Sequence, residues 1–275
     1  MTRRWLTRSL TATAVIIACL FAVFPFAWML RTSVASADAI VGDGLSPIPR
    51  GFDLSNYVRA WNEAHLGRAM VTGVIVTIGI LAIQLLTCIP AAYAFAKLRF
   101  RGKRLAYYLV LAALLVPAQA TALPLYIGVS RLGMVNTLSA LIVPFGTSAF
   151  GLFLLRQHML TIPDALIDAA RSDGLGTLQT IWRVIIPSSR PAIATFSLFS
   201  VFFHWNDYLW PLLVARSQEM RTPPLALATF AQSDIGNDFG ALSAGAVIIT
   251  VPILILFLAA RRRFVAGIAG GELPG

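Results

Sequence analysis

Acidic side chains are scarce in this 275-residue chain, with 12 Asp and Glu against 22 Lys and Arg, and charged residues of either sign make up only 12% of it. A soluble domain carries roughly twice that share, so a water-facing globule does not account for the chain. Histidine and cysteine are scarcer still. His65, His158 and His204 lie far apart, and Cys19 and Cys88 both fall inside apolar runs, which leaves neither a disulfide framework nor a metal-ligand spacing. No G-x-x-x-x-G-K-[ST] phosphate loop, H-E-x-x-H or G-x-S-x-G motif occurs, and nothing marks the chain as an enzyme. The net charge of +10 does not indicate nucleic acid, because the Arg residues are scattered between apolar segments without an aromatic-basic reading motif.

What is abundant is apolar sequence, 57% of all residues. Six stretches, about 11–33, 70–95, 105–129, 137–158, 192–214 and 241–260, approach or exceed the ~20 residues that cross ~30 Å of hydrocarbon. They predict an all-α membrane protein with six transmembrane helices in one lipid-embedded domain over 11–265, flanked by an N-terminal segment 1–10 and a tail 266–275. Pro117 and Pro124, with Gln119 between them, predict a kink in the third span. The run at 11–33 is longer than the ~7–15 residues of a signal-peptide core, which favours a retained helix over a secretory signal cleaved near Ala35–Ala37.

Basic residues set the orientation. One side carries 15 of them: Arg3, Arg4, Arg8, Lys97, Arg99, Arg101, Lys103, Arg104, Arg156, Arg171, Arg183, Arg190, Arg261, Arg262 and Arg263. The other carries seven: Arg31, Arg50, Arg59, Arg68, Arg131, Arg216 and Arg221. Both termini and the loops 96–104 and 159–191 are therefore expected in the cytoplasm. Carriers driven by ion gradients place ionisable groups within their spans, and only Asp207 qualifies here. It lies 16 residues beyond Pro191, about 24 Å along a helix, among Trp205, Tyr208 and Trp210, where an aromatic belt with a polar helix end competes with a translocation role. Gln84, Gln119, Asn206 and Asn136 are the other polar in-span residues, either lining a solute path or making interhelical hydrogen bonds.

The segment 161–191 reads as two helices. Thr161 is placed to cap the first, with Pro163 in its first turn and Asp164 complementing the dipole. Gly174 supplies a stop, since glycine enters the left-handed conformation without steric cost. Leu178, Ile181, Trp182 and Ile185 then form the stripe of an amphipathic helix lying along the inner membrane face and ending before Pro187. Asp168, Ala169, Ala170, Asp173 and Gly174 form a compact surface suited to a groove in another protein.

The series Asp168-Ala169-Ala170-x-x-Asp173-Gly174, followed by Val184-x-Ile186-Pro187 and Pro191, resembles the EAA loop of the permease subunits of bacterial binding-protein-dependent ABC importers. Trp205–Leu212, Arg263–Gly267 and Ala91–Ala96 are similar to the carbohydrate (MalG-like) branch. Asp168 stands where the family's leading Glu stands, and Leu175 replaces the usual Ala. The tail, Gly270–Gly275, departs from the family's pattern. The resemblance implies a type I (MetI-like) six-helix fold whose cytoplasmic coupling helix, with Asp168, Ala169, Ala170, Asp173, Gly174, Leu175 and Pro187, docks on an ATP-binding subunit. ATP and Mg would bind that partner, and this chain would carry no cofactor.

The implied partners are a homologous second permease forming a heterodimer, a dimer of ATP-binding subunits, an extracytoplasmic solute-binding protein and membrane lipid, in the bacterial inner membrane. The implied cargo is a sugar, oligosaccharide or polyol; glycerol phosphate on the same architecture and a gradient-driven carrier are the alternatives. Outer loops 36–68, with Tyr57 and Trp61, and 217–240, with Pro223, Pro224, Gln232, Asp234, Asn237 and Asp238, are docking surfaces for the binding protein or solvated connectors.

Overall fold

The structure, a computed structural model, describes residues 2–44, 46–231 and 238–269. Gln232, Asp234, Asn237 and the tail from residue 270 lie outside the described residues. In chain order the helices are α1 (Thr2–Ser33), α2 (Ala37–Gly42), α3 (Ser55–Glu63), α4 (Leu66–Lys97), α5 (Lys103–Ala113), α6 (Ala118–Arg131), α7 (Leu138–Ile142), α8 (Ala149–Thr161), α9 (Asp164–Ser172), α10 (Thr177–Thr180), α11 (Ile186–Ser188), α12 (Arg190–Trp205), α13 (Leu209–Val214), α14 (Pro223–Leu227) and α15 (Phe239–Ala269). Among the described residues there is no strand, only an isolated bridge between Ala35 and Phe52.

Three uninterrupted segments, Leu10–Ser33, Leu66–Lys97 and Phe239–Ala259, are long and apolar enough to cross a membrane. Three bent pairs pass the same test: α5 with α6 at 101°, α7 and its 3-10 extension with α8 at 42°, and Thr177–Ser188 with α12 at 82°. Counting each pair once gives six. The expected kink in the third span is therefore a full elbow, at 114–117, while Pro124 sits inside an unbroken α6. The fifth apolar stretch is not one helix: α12 stops at Trp205. Asn206 Nδ2 donates to Phe202 O at 2.8 Å and Asp207 Oδ1 accepts from the Trp210 N–H at 3.3 Å, local side-chain bonds that compete with a continuing helix.

The chain falls into two compact units, 1–67 with 226–252 and 68–225 with 253–275. In the first, the segment after α1 folds around a buried ion pair. Arg31 meets Asp43 at 3.2 Å with both side chains 5% exposed, and it also donates to the Ser46 and Ala39 carbonyls. Burying two charges is tolerable only with such additional hydrogen bonds. Asn56 Nδ2 donates to the carbonyls of Ser33 and Ala35, tying α3 to the end of α1.

Among its described residues the second unit has two apolar cores. One packs Val76 and Ile80 of α4 against Val129, Ala140, Leu141, Trp210 and Val214. The other gathers Cys88, Ile89, Ala92 and Tyr93 of α4 with Leu155 and Met159 of α8, Ile167 of α9, Ile181, Ile185 and Phe196. It joins the 161–191 loop to the ends of three membrane segments.

Candidate functional site

The loop surface is built on α9. Its start is not capped by Thr161, as the sequence suggests. Thr161 closes α8, its hydroxyl donating to His158 O at 2.8 Å, and Pro163 occupies the N-cap without a side-chain bond. The reason is that Ile162 is buried in the core and pulls the chain inward, so α9 begins two residues later.

Its end matches expectation. Gly174 has φ +78°, its N–H bonds Arg171 O at 3.0 Å, and the Leu175 N–H reaches back to Ala170 O at 3.0 Å. These two bonds make the Schellman closure, in which the left-handed residue is cheap only as glycine.

Burial divides the helix into two faces. Ile167 and Ala170 are buried, whereas Ala165, Leu166, Asp168, Ala169, Ser172 and Asp173 are exposed. Of the residues the sequence groups as one surface, Asp168, Ala169, Asp173 and Gly174 stand open together, Leu175 is half-buried and Ala170 points into the core. Lys97, at the end of α4, pins the helix start: its Nζ donates to Ile162 O at 2.6 Å and to Asp164 Oδ1 at 2.7 Å. That hydrogen bond and the lysine's charge hold the Asp164 carboxyl below its ordinary value. A polar cavity of about 420 Å³ opens beside α9, lined by Lys97, Leu98, Arg99, Asp164, Ile167, Asp168 and Arg171.

The following segment is helical from Thr177 to Ser188 and does not stop before Pro187. Residues 181–185 form a π-helical turn in which the Ile186 N–H bonds Ile181 O, five residues back. The wider turn relieves the clash a proline makes with the carbonyl four residues earlier, and Pro187 sits in the final turn. Ile181 and Ile185 are buried, while Leu178 and Trp182 are exposed.

The polar in-span residues separate sharply. Gln84 is 3% exposed. Its Nε2 donates to Phe145 O at 3.0 Å and to His204 Nε2 at 3.3 Å, and its Oε1 accepts from Ser200 Oγ at 2.7 Å. Because an amide nitrogen only donates, His204 Nε2 is the acceptor there. Asn136, at φ +64°, accepts from the Arg216 and Ser217 N–H groups and the Ser217 hydroxyl, which makes it a joint between loops. Asn206 and Asp207 make the local bonds described above. Gln119 is exposed at the elbow of α5 and α6. Asp238, the described member of the outer acidic group, pairs with Arg59 at 2.5 Å and accepts from the Ala241 N–H at 2.9 Å, capping α15.

Sequence reasoning gives Lys97 no role beyond its charge, because its partner Asp164 lies 67 positions away. Arg156 is similar: its guanidinium lies 3.9 Å from the Tyr107 ring centroid and donates to Phe95 O at 3.1 Å. No local signal marks either.

Residues 85–269 match the family model described as "Binding-protein-dependent transport system inner membrane component". The chain is 34% identical over 257 residues to the arabinooligosaccharides transport system permease protein AraQ of Halalkalibacterium halodurans, covering 92% of each. It is 30% identical to the diacetylchitobiose uptake system permease protein NgcG of Streptomyces coelicolor, over 90% of this chain and 83% of that one. A crystal structure of a bacterial ABC transporter that imports the acidic polysaccharide alginate contains a chain with the same fold, at TM-score 0.83 and 23% identity over 94% and 96% of the two chains. Apolar segments sufficient for up to six crossings, an anchored loop helix with an open face, and these matches agree: the chain belongs to the binding-protein-dependent transport system inner membrane components, as a multi-pass permease subunit of an ABC importer, in which ATP is hydrolysed by a separate subunit.

Proposed function

We propose that this permease moves a carbohydrate across the bacterial inner membrane, paired with a homologous second permease and driven by a dimer of ATP-binding subunits that hold ATP and Mg. The solute class rests on the relatives, whose names specify arabino-oligosaccharides and diacetylchitobiose. A solute-binding protein delivers the cargo from outside, and both termini lie in the cytoplasm, in line with the distribution of basic residues.

The observation that carries the coupling role is the two-faced α9. Its buried face joins α4, α8 and α12 through one core, so force applied to the open face is delivered to three membrane segments. Asp168, Ala169, Asp173 and Gly174 form the docking surface, Ala170 and Leu175 hold the turn, and Pro187 ends the connection to α12. ATP binding favours one arrangement of the ATPase dimer, and differential contact with α9 biases the bundle between its two states. Gln84, Asn206 and Asp207 support the path from within the bundle, and Gln119 faces it. Gln232, Asp234, Asn237 and Asp238 belong to the loop that meets the binding protein.

Gentle extraction of the tagged chain from native membranes, with mass spectrometry of what remains bound, tests this reading. A phosphate-loop ATPase and a second permease in stoichiometric amount are expected. Recovery of this chain alone, repeated under crosslinking, would overturn it.

A further inference from the structure

The elbow between α5 and α6 leaves backbone acceptors unpaired at membrane depth. Helix α5 has 11 residues and is about 16 Å long, roughly half of ~30 Å of hydrocarbon, so the break after it lies well inside the membrane. At the break the N–H groups of Leu114, Leu115 and Val116 bond back to Leu111, Ala112 and Ala113. The chain then turns by 101° at Pro117, which has no N–H to give. Among the described residues no hydrogen bond reaches the carbonyls of Leu114, Leu115 or Val116, and Leu115 is 84% exposed. Gln119 is exposed just beyond, with no protein partner for its amide among the described residues.

Lipid cannot cover such a surface, because hydrocarbon offers free carbonyls nothing to bond. Irregular backbone at that depth persists where it is enclosed by protein or lines a water-filled cavity. An enclosing partner helix would need three donors aimed at one turn, and helices seldom spare them, since their own N–H groups are already bonded. Water meets the requirement without such matching.

We infer that the elbow, Leu114 to Gln119, lines the aqueous solute path, with its three free carbonyls and the Gln119 amide forming a hydrogen-bonding step for hydroxyl-bearing solutes. Hydroxyls donate to carbonyls and exchange with water at little cost, so contacts of this kind guide a sugar without trapping it. The solute class rests on the carbohydrate reading above; the exposure of the elbow to water does not.

The test uses the complete transporter in membrane vesicles, with Cys19→Ala as background and buried Cys88 retained. Single variants Leu115→Cys, Val116→Cys and Gln119→Cys, with Leu109→Cys, exposed on the regular helix α5, as the control, are treated with a charged, membrane-impermeant methanethiosulfonate and with an apolar maleimide. The three elbow positions should react with the charged reagent at least about tenfold faster than Leu109→Cys, and the oligosaccharide the transporter takes up should slow them.

Charged-reagent rates equal to the control, or crosslinking of the elbow to the second permease by a short bismaleimide, would overturn the inference. Fast labelling that no transported saccharide slows would overturn the solute step. Uptake of labelled saccharide by the background protein, measured in parallel, reports on the carbohydrate reading itself, so the two failures are distinguishable.

Discussion

At the break between α7 and α8, side chains of α4 take up the freed backbone: Gln84 donates to Phe145 O, Thr87 donates to Gly146 O at 2.7 Å, and Cys88 meets both the carbonyl and the N–H of Ser148. At the break between α5 and α6, no side chain of another element does so among the described residues. Sequence composition does not explain the difference, since both breaks carry a proline and lie in apolar stretches. The difference is the neighbour. Gly146 lies so close to α4 that an added Cβ would stand 2.9 Å from Ile83, and this approach brings Gln84 and Thr87 within reach. A break sealed in this way works as a fixed bend, whereas an open one needs something from outside the chain. Helix α9 repeats the contrast on one element, with Ile167 and Ala170 sealed and Asp168, Ala169 and Asp173 open.

Changes at open positions should disturb transport and spare stability, and changes at sealed positions should do the reverse. The largest effect is expected for Gly174→Pro, which cannot adopt φ +78° and loses the bond to Arg171 O. It should cut ATP-driven uptake by about 5- to 150-fold, the range of a coupling energy of ~1–3 kcal/mol, while membrane insertion is unchanged. Next is Gln84→Leu, which strands Phe145 O and the Ser200 hydroxyl. Thermal unfolding in detergent should show a loss of about 1–3 kcal/mol. Gln119→Leu on the open break should stay within about 0.5 kcal/mol of the parent, and an equal loss at the two glutamines would break the comparison.

Thr87→Val is expected to cost less, about 0.6 kcal/mol, typical of one interhelical hydrogen bond in a membrane protein. The smallest effect belongs to the Lys97–Asp164 pair. Because the Asp164 carboxyl is held below its ordinary 3.8, its contribution is complete above that value and is lost as the pH falls through the depressed one. Limited proteolysis of the 161–191 loop should therefore be independent of pH around neutrality and show loosening only in acid below 3.8.

The crossings are legible in the sequence because length and apolarity suffice to mark them, and the end of α9 is legible because a glycine after a helix has few other uses. The elbow angle is not, since a proline announces a break without fixing the direction of the chain beyond it. Gln84 is equally opaque: its partners lie 61, 116 and 120 positions away, and only the packed bundle distinguishes a sealed amide from one facing a path. Thr161 and Pro187 mislead for a common reason. Local rules of capping and helix breaking give way where Ile162, Ile181 and Ile185 are drawn into the core. The family resemblance identifies the loop around Asp168, but not which of its residues point outward.

The most direct test of the central claim, that the open face of α9 receives the motor, is a cysteine pair of positions in native membranes. Ala169→Cys and the sealed Ala170→Cys, each in the Cys19→Ala background, would be exposed to a short bifunctional thiol reagent during ATP turnover, and the adducts identified by mass spectrometry. The account predicts an adduct between position 169 and an ATP-binding subunit, with none from position 170. An ATPase adduct from both positions alike, or from neither while uptake continues, would contradict it.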